Sequence, residues 1–321
     1  MGGAVTSIKT GKTCKAVRAG SKFIIMLKTI LKILLSAIVY IVAFILINAV
    51  LPYSQGFREL GASEDPAGML FLLITSVWVC FTVYYIVRHS HFSGIKLFLN
   101  ILFVLFFVQC FMMQIETLFF GYAFQVLTKG DVVFIMLAGL FPLLATIPLL
   151  MTFFQNKHVS VESEKVEKIN MRSIALKLGI IGVMYLFVYM MFGYYVAWQF
   201  EELRIFYTGL AEKLSFWGQM LNNFKTNPGI FPFQIVRGVL FGIFIIPLTV
   251  MVNKKADFII SVCLVYLCTA VVLLIPNVLF PDVVRFAHFI EMTGSMLLFG
   301  IIVGYIMWRK DNMQIESCID E

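Results

Sequence analysis

A short stretch near the C-terminus, residues 276–295, holds the residues best suited to chemistry. Arg285, His288, Glu291 and Ser295 follow one another at spacings of three or four residues, which places them along one face of a helix. An imidazole beside a carboxylate can take up and release protons near neutral pH. An arginine nearby can anchor an anionic group through charge-assisted hydrogen bonds. The stretch therefore predicts a proton-linked or ligand-binding site.

Further polar residues interrupt apolar segments elsewhere in the chain. Tyr195, Gln199 and Glu202 recur at i, i+4 and i+7, so they share one face if a single helix carries them. Charged groups in apolar surroundings are costly unless they are paired or hydrogen-bonded, which favours their convergence. We expect one cluster and its flanking polar groups to comprise Glu116, Gln199, Glu202, Arg237, Asn277, Arg285, His288 and Glu291.

Composition defines the elements that must position these residues. The chain has 321 residues, of which 60% are hydrophobic and 13% charged. Soluble domains average about 45–50% apolar and about 25% charged residues, so this chain could not cover a soluble surface. Six scattered cysteines without a C-x-x-C pair argue against a disulfide or zinc framework. The composition predicts an integral membrane protein.

Eight segments are long and apolar enough to cross a bilayer, which requires roughly 20 residues each. Backbone groups in hydrocarbon must be hydrogen-bonded internally, so these segments are predicted to be helices in an all-α polytopic bundle. The even number places both termini on one side of the membrane. The predicted spans are 33–52, 68–87, 97–119, 131–154, 173–198, 234–252, 258–279 and 286–308.

The distribution of basic residues orients the bundle. Alternating connections divide the 25 basic residues into 18 on the side of the termini and 7 on the other side. The positive-inside rule then predicts cytoplasmic termini, and we expect the membrane to be a bacterial inner membrane. The net charge of +7 is thereby explained by topology and by contact with anionic lipid heads at the cytoplasmic face. Nucleic acid is not an expected partner.

The domain organisation follows from these spans. Residues 1–32 form a basic cytoplasmic segment, 33–308 the eight-helix transmembrane domain and 309–321 a short cytoplasmic tail. The longest outer connection contains apolar residues at helical spacing near 208–225. This pattern predicts an amphipathic helix lying in the outer interface, with its apolar face formed by Leu210, Leu214, Trp217, Leu221 and Phe224.

Two pairs of glycines at four-residue spacing occur in the last spans. Gly238 and Gly242 lie in the sixth span, and Gly300 and Gly304 lie in the eighth. Small residues at this spacing allow neighbouring helices to approach closely, so both pairs predict helix packing.

Two resemblances bear on function. The Glu201-Glu202 pair is similar to the start of the CAAX-type intramembrane protease motif Glu-Glu-x-x-x-Arg, but Arg204 follows too soon and the later histidine motifs are missing. The chain more closely resembles a group of uncharacterised bacterial integral membrane proteins, mainly in its C-terminal half. That resemblance implies no activity, and it is carried by residues 192–199 (FGYYVAWQ), Arg237-Gly238, the stretch from Pro276 to Glu291, Ser295 and Gly300.

The charged cluster has two interpretations. The groups could neutralise one another as interhelical salt bridges that hold the bundle together, or they could line an outward-facing polar pocket. His288 favours the pocket, because a salt-bridge network does not need an imidazole. A metal site would find few ligands, since His288 is the single histidine on this side. We therefore expect neither a metal nor a cofactor.

Three functions remain open for a protein with such a pocket. The leading hypothesis is a transporter or binding subunit in which Arg237 and Arg285 anchor an anionic or lipid-like ligand. The alternative is an outer-face membrane enzyme acting on lipid-linked or envelope substrates, with His288 as general base oriented by Glu291 or Glu202. The third is a structural subunit that associates with another membrane protein or with further copies of the chain.

Overall fold

The computed structural model describes the backbone of residues 7–60, 67–124, 126–155, 171–276 and 279–308, and within these ranges the side chains from residue 22 onward except residues 60 and 123. Within these ranges the chain is helical and contains no β-strand. Eight of the helical segments are long and apolar enough to cross a membrane. The prediction of an all-α, multi-pass membrane bundle is therefore confirmed, in the part of the chain that the structure covers.

Thirteen α-helices occur among the described residues. In chain order they are α1 (Ser7–Val50), α2 (Gln55–Leu60), α3 (Gly68–His89), α4 (Gly94–Leu105), α5 (Met112–Phe119), α6 (Lys129–Phe154), α7 (Met171–Tyr195), α8 (Glu201–Thr208), α9 (Phe216–Thr226), α10 (Ile230–Phe244), α11 (Ile246–Met251), α12 (Lys255–Val271) and α13 (Asp282–Met307).

The eight spans match the predicted segments in number and order. Among the residues whose side chains are described, span 1 extends back to Lys22, ahead of the predicted start at residue 33. The other spans begin and end near the predicted bounds. In chain order, spans 1 to 8 are Lys22–Val50, Gly68–His89, Gly94–Phe119, Lys129–Phe154, Met171–Gln199, Ile230–Met251, Lys255–Leu274 and Asp282–Met307.

Two spans are irregular in ways that were not predicted. Span 3 passes through a π-helical segment, Phe106–Phe111, between α4 and α5. Span 6 breaks at Ile245, between α10 and α11, where Pro247 lacks an N–H and its ring would clash with a carbonyl one turn earlier. Both irregularities redirect the side chains that follow them.

The two predicted glycine pairs lie at close contacts between spans. A Cβ added at Gly238 would lie 2.5 Å from the Tyr185 Cβ, and one at Gly242 would lie 2.7 Å from a Leu178 methyl. A Cβ at Gly300 would lie 3.0 Å from the Cα of Cys263 in span 7. The glycines therefore join span 6 to span 5 and span 8 to span 7, without room for a side chain.

Three short helices, α2, α8 and α9, lie at one end of the bundle, which we call the α9 end. The rings of Phe124, Phe206 and Phe280 meet there. At the opposite end, the connections after α3 and α11 meet in a single antiparallel bridge between Ser90 and Val252.

The sequence predicted one amphipathic helix near 208–225 in the connection between spans 5 and 6, but the structure has two shorter helices there, α8 and α9. Gly209 adopts a left-handed conformation, with φ of 72°, which ends α8. Ser215 then caps α9 by accepting a hydrogen bond from the Gly218 N–H. The predicted amphipathic character is confined to α9, whose exposed residues include Trp217 and Phe224.

Candidate functional site

A cavity of about 1100 Å³ lies in the half of the bundle next to the α9 end. It extends from Asn227 and Pro276 in the connections to Tyr40 and Ser295 within the spans. Its walls come mainly from spans 1, 3, 5 and 8 and from α8 and α9, and most of its lining is apolar or aromatic. A largely apolar lining with a few polar groups is typical of pockets that bind small molecules.

A chain of three polar side chains lies on one wall of the cavity. The His288 Nε2 lies 3.1 Å from the Tyr207 hydroxyl, and the His288 Nδ1 lies 3.4 Å from a Glu291 carboxylate oxygen. Both distances fit one arrangement, in which Nδ1–H donates to Glu291 and Nε2 accepts from Tyr207. Glu291 is only 6% exposed, so its carboxylate lies largely out of solvent.

Tyr207 lies next to His288 because α8 packs against the start of α13. Leu203 of α8 packs with Val284 and Ala287 of α13 in a small apolar cluster at the α9 end. The burial of Tyr207 raises its pKa well above the ordinary value of 10. Its hydroxyl therefore stays protonated at neutral pH and can donate to the imidazole.

A buried ion pair faces the same cavity from spans 3 and 6. Arg237 is 1% exposed, and its two terminal nitrogens each lie 2.7 Å from a different carboxylate oxygen of Glu116. Such bidentate pairing is the strongest arrangement available to an arginine and a carboxylate. The same guanidinium donates to the Gln234 side chain and lies 5.6 Å from the centre of the Tyr185 ring.

The structure does not bring Arg285 into the cavity. Its guanidinium lies 2.7 Å from Asp282 and also contacts the carbonyl of Leu274 at the end of span 7. The prediction overlooked that six residues along an α-helix fall roughly 120° short of two full turns, so Arg285 and Glu291 face different directions. His288, Glu291 and Ser295 do line the cavity together.

Gln199 and Glu202 also lie outside the cavity, contrary to the shared face that was predicted. The helix of span 5 ends at Tyr195, so its helical spacing does not continue to these residues. Gln199 is exposed and accepts a hydrogen bond from Lys213, and Glu202 is exposed at the start of α8. Asn277, also predicted here, lies outside the described residues.

The buried Arg204 explains why the chain can turn at this point. Its guanidinium donates to the backbone carbonyls of Trp198 and Gln199, at 2.8 and 3.1 Å, and to that of Ala211, at 2.8 Å. These bonds satisfy carbonyls that the end of a helix leaves without partners. Arg204 therefore holds α8 in place rather than taking part in the protease-like motif.

The polar face of α9 forms another wall of the cavity. Gln219, Asn222, Asn223 and Thr226 recur at helical spacing and line it, whereas Trp217 points away and is 78% exposed. Amide side chains can donate and accept hydrogen bonds without carrying charge. The sequence spacing of α9 signalled both faces but gave no indication that the polar one would close a cavity.

The π-helical segment of span 3 places Gln109 at the deep end of the cavity. Gln109 is 4% exposed, and its amide nitrogen lies 3.4 Å from the Tyr40 hydroxyl. In this orientation its amide oxygen is buried without a hydrogen-bond partner. Single π-helical turns recur at functional sites, because they redirect side chains. Gln109 thus brings an unpaired acceptor to the wall of the cavity.

Comparison with protein-family models, curated proteins and solved structures finds no match to this chain.

The chemistry available to the site comes from its side chains. Among the described residues, no three metal-ligating side chains of histidine, cysteine, aspartate or glutamate come close enough to hold a metal ion. The Tyr207–His288–Glu291 chain can accept a proton at the imidazole and hold it beside a carboxylate. The expectation that Arg237 and Arg285 both anchor an anion is not supported, because each already pairs with a carboxylate.

Proposed function

We propose that the protein is a transporter or binding subunit that takes a lipid-like amphiphile into the cavity at the α9 end. The observation that carries this proposal is the cavity of about 1100 Å³, lined by apolar and aromatic residues with a few polar groups on its walls. A purely structural ion-pair network would need no such space. The Tyr207–His288–Glu291 chain would then link occupancy to proton uptake.

Blocking the cavity should remove binding of an amphiphile. We expect Thr117→Trp, which fills the cavity from span 3, to lower labelling by a diazirine-bearing long-chain alcohol about fivefold. Peptide mapping of the photolabelled protein in nanodiscs measures the yield in segments 109–120 and 185–198. The neighbouring Leu118 is 49% exposed and does not line the cavity, so Leu118→Trp is the matched control. Equal labelling of both variants would contradict the proposal.

We also propose that the α9 end faces outward in a bacterial inner membrane, with cytoplasmic termini. The excess of basic residues on the side of the termini supports this orientation. In intact cells, a single cysteine at the exposed Glu212 should react with an impermeant maleimide, and one at the exposed Lys254 should react only after lysis. The reverse pattern would overturn the orientation and leave the cavity unaffected.

A membrane enzyme is the second candidate, and it is favoured by the same three side chains, Tyr207, His288 and Glu291. An imidazole between a carboxylate and a hydroxyl is the arrangement of a general base oriented by its neighbour. Glu291 would be the orienting group, since the exposed Glu202 lies outside the cavity. A product that accumulates from a lipid extract, and disappears in His288→Ala while photolabelling persists, would favour the enzyme over the transporter.

A further inference from the structure

The charges that line the cavity do not balance. Among the described residues that line it, the charged ones are Glu116, Glu291 and Arg237, and His288 lies beside Glu291. The charges of Arg237 and Glu116 cancel in their ion pair, which leaves the carboxylate of Glu291 as the unbalanced charge. When His288 is neutral, the described lining therefore carries one net negative charge and disfavours a carboxylate or phosphate.

Glu291 is poorly compensated for a buried carboxylate. Its helical position, nine residues after Asp282, places it about 13 Å along α13 from the start of the helix. The contact from His288 Nδ1, at 3.4 Å, is long for a hydrogen bond to a charged group. Removing a carboxylate from water without a close partner is costly. A cation that entered the cavity would gain the attraction that Glu291 leaves unused.

The neighbouring walls offer hydrogen-bond acceptors and aromatic faces. The side-chain oxygens of Gln109 and Gln114 both lie buried without a hydrogen-bond partner on span 3, and both residues line the cavity. Tyr185 and Tyr189 line the adjoining wall from span 5. Acceptor oxygens suit a head group that donates N–H bonds, and tyrosine rings attract cations.

We infer that the cavity selects an amphiphile with a protonated amine head group, which it holds beside Glu291. This inference rests on the proposed function and narrows it to one class of ligand. The amine would donate to Glu291 and to the acceptor oxygens of span 3. The apolar chain would lie along the aromatic lining near Phe119 and Phe120.

The quenching of Trp198 fluorescence by brominated amphiphiles tests this inference, because Trp198 lines the cavity. The probes are dodecylamine, dodecanoate and dodecanol, each brominated at the end of the chain, in neutral detergent near pH 8, where the amine is protonated and the acid ionised. The signal is the quenching that is lost in Trp198→Phe. We expect the amine to reach half-quenching at a concentration about tenfold lower than the acid.

Two glutamate variants give the matched comparison. Glu291→Gln should reduce the preference for the amine to within about threefold, because it removes the unbalanced charge. Glu202→Gln alters an exposed carboxylate outside the cavity and should retain the full preference. The comparison of the three probes needs only the unaltered protein and Trp198→Phe, so it stands even if Glu291→Gln fails to fold.

The outcomes separate the two proposals. Quenching of Trp198 by the acid as strong as that by the amine would overturn the amine inference while leaving amphiphile binding intact. Quenching by the alcohol alone would also overturn the amine inference and leave amphiphile binding intact. If none of the three probes quenches Trp198, amphiphile binding in this cavity fails and the amine inference fails with it.

Discussion

Glu116→Gln should destabilise the protein by about 3–5 kcal/mol, because it leaves the guanidinium of Arg237 buried without its counter-charge. Arg237 is 1% exposed, and both of its short contacts to carboxylate oxygens end on Glu116. The contact to Gln234 that remains is to a neutral group. Reversible unfolding in mixed detergent micelles, followed by far-UV circular dichroism, measures the change in the free energy of unfolding.

Two controls distinguish the buried pair from charge in general. Asp282→Asn breaks the pair with Arg285, but the Asp282 side chain is 80% exposed, so we expect a loss below about 1 kcal/mol. Glu116→Leu combined with Arg237→Met removes both charges and should recover much of the loss. A loss in Glu116→Gln no greater than that in Asp282→Asn would show that the pair contributes little.

The sequence was sufficient to predict the membrane bundle, because hydropathy and charge are local properties. The length and composition of each span can be taken directly from the sequence. The positions of lysine and arginine predict on which side of the membrane each connection lies. The irregularities were not predictable in the same way. The π-helical turn at Phe106–Phe111 lies within an apolar run whose spacing fits a regular helix, and the left-handed Gly209 ends a helix that the apolar spacing of the connection would have continued.

The site was predictable only where its residues share one regular helix. His288 and Glu291 are three residues apart on α13, and the structure brings them together. Glu116 and Arg237 come from different spans. Predicting that they lie close together therefore required the further assumption that both are at a similar depth in the membrane. Tyr207 was missed because it belongs to α8, whose position depends on contacts between distant parts of the chain.

The arginines illustrate why residue type alone gave the wrong electrostatics. Arg237 and Arg285 carry the charge that an anion would need, and their spacing near the cluster favoured that hypothesis. Each of them pairs with a carboxylate in the structure, at 2.7 Å. The sign of the net charge in a cavity depends on which charged groups remain unpaired. Which groups pair depends on the three-dimensional structure.

Gly238→Ala should lower the stability of the protein more than any other added methyl group between spans 5 and 6. The new Cβ would lie 2.5 Å from the Tyr185 Cβ and 2.8 Å from the Cα of Gly182, so backbone must move to admit it. Overpacking of this kind costs about 1–3 kcal/mol, and the upper part of that range applies where backbone blocks the space. Thermal unfolding in detergent measures the loss. Gly179→Ala is the matched control on the same pair of spans, since nothing lies within 4 Å of its added Cβ.

The same substitution should also impair binding, because the glycine contact positions the site. Gly238 follows Arg237 directly, and Tyr185, which it contacts, carries the ring that faces the guanidinium. Separating the two spans would move Arg237 away from Tyr185 and shift the cavity wall that both residues form. We therefore expect Gly238→Ala to weaken Trp198 quenching by the brominated amine at temperatures where the variant is still folded. Unchanged quenching together with lowered stability would show that the spans separate without altering the cavity.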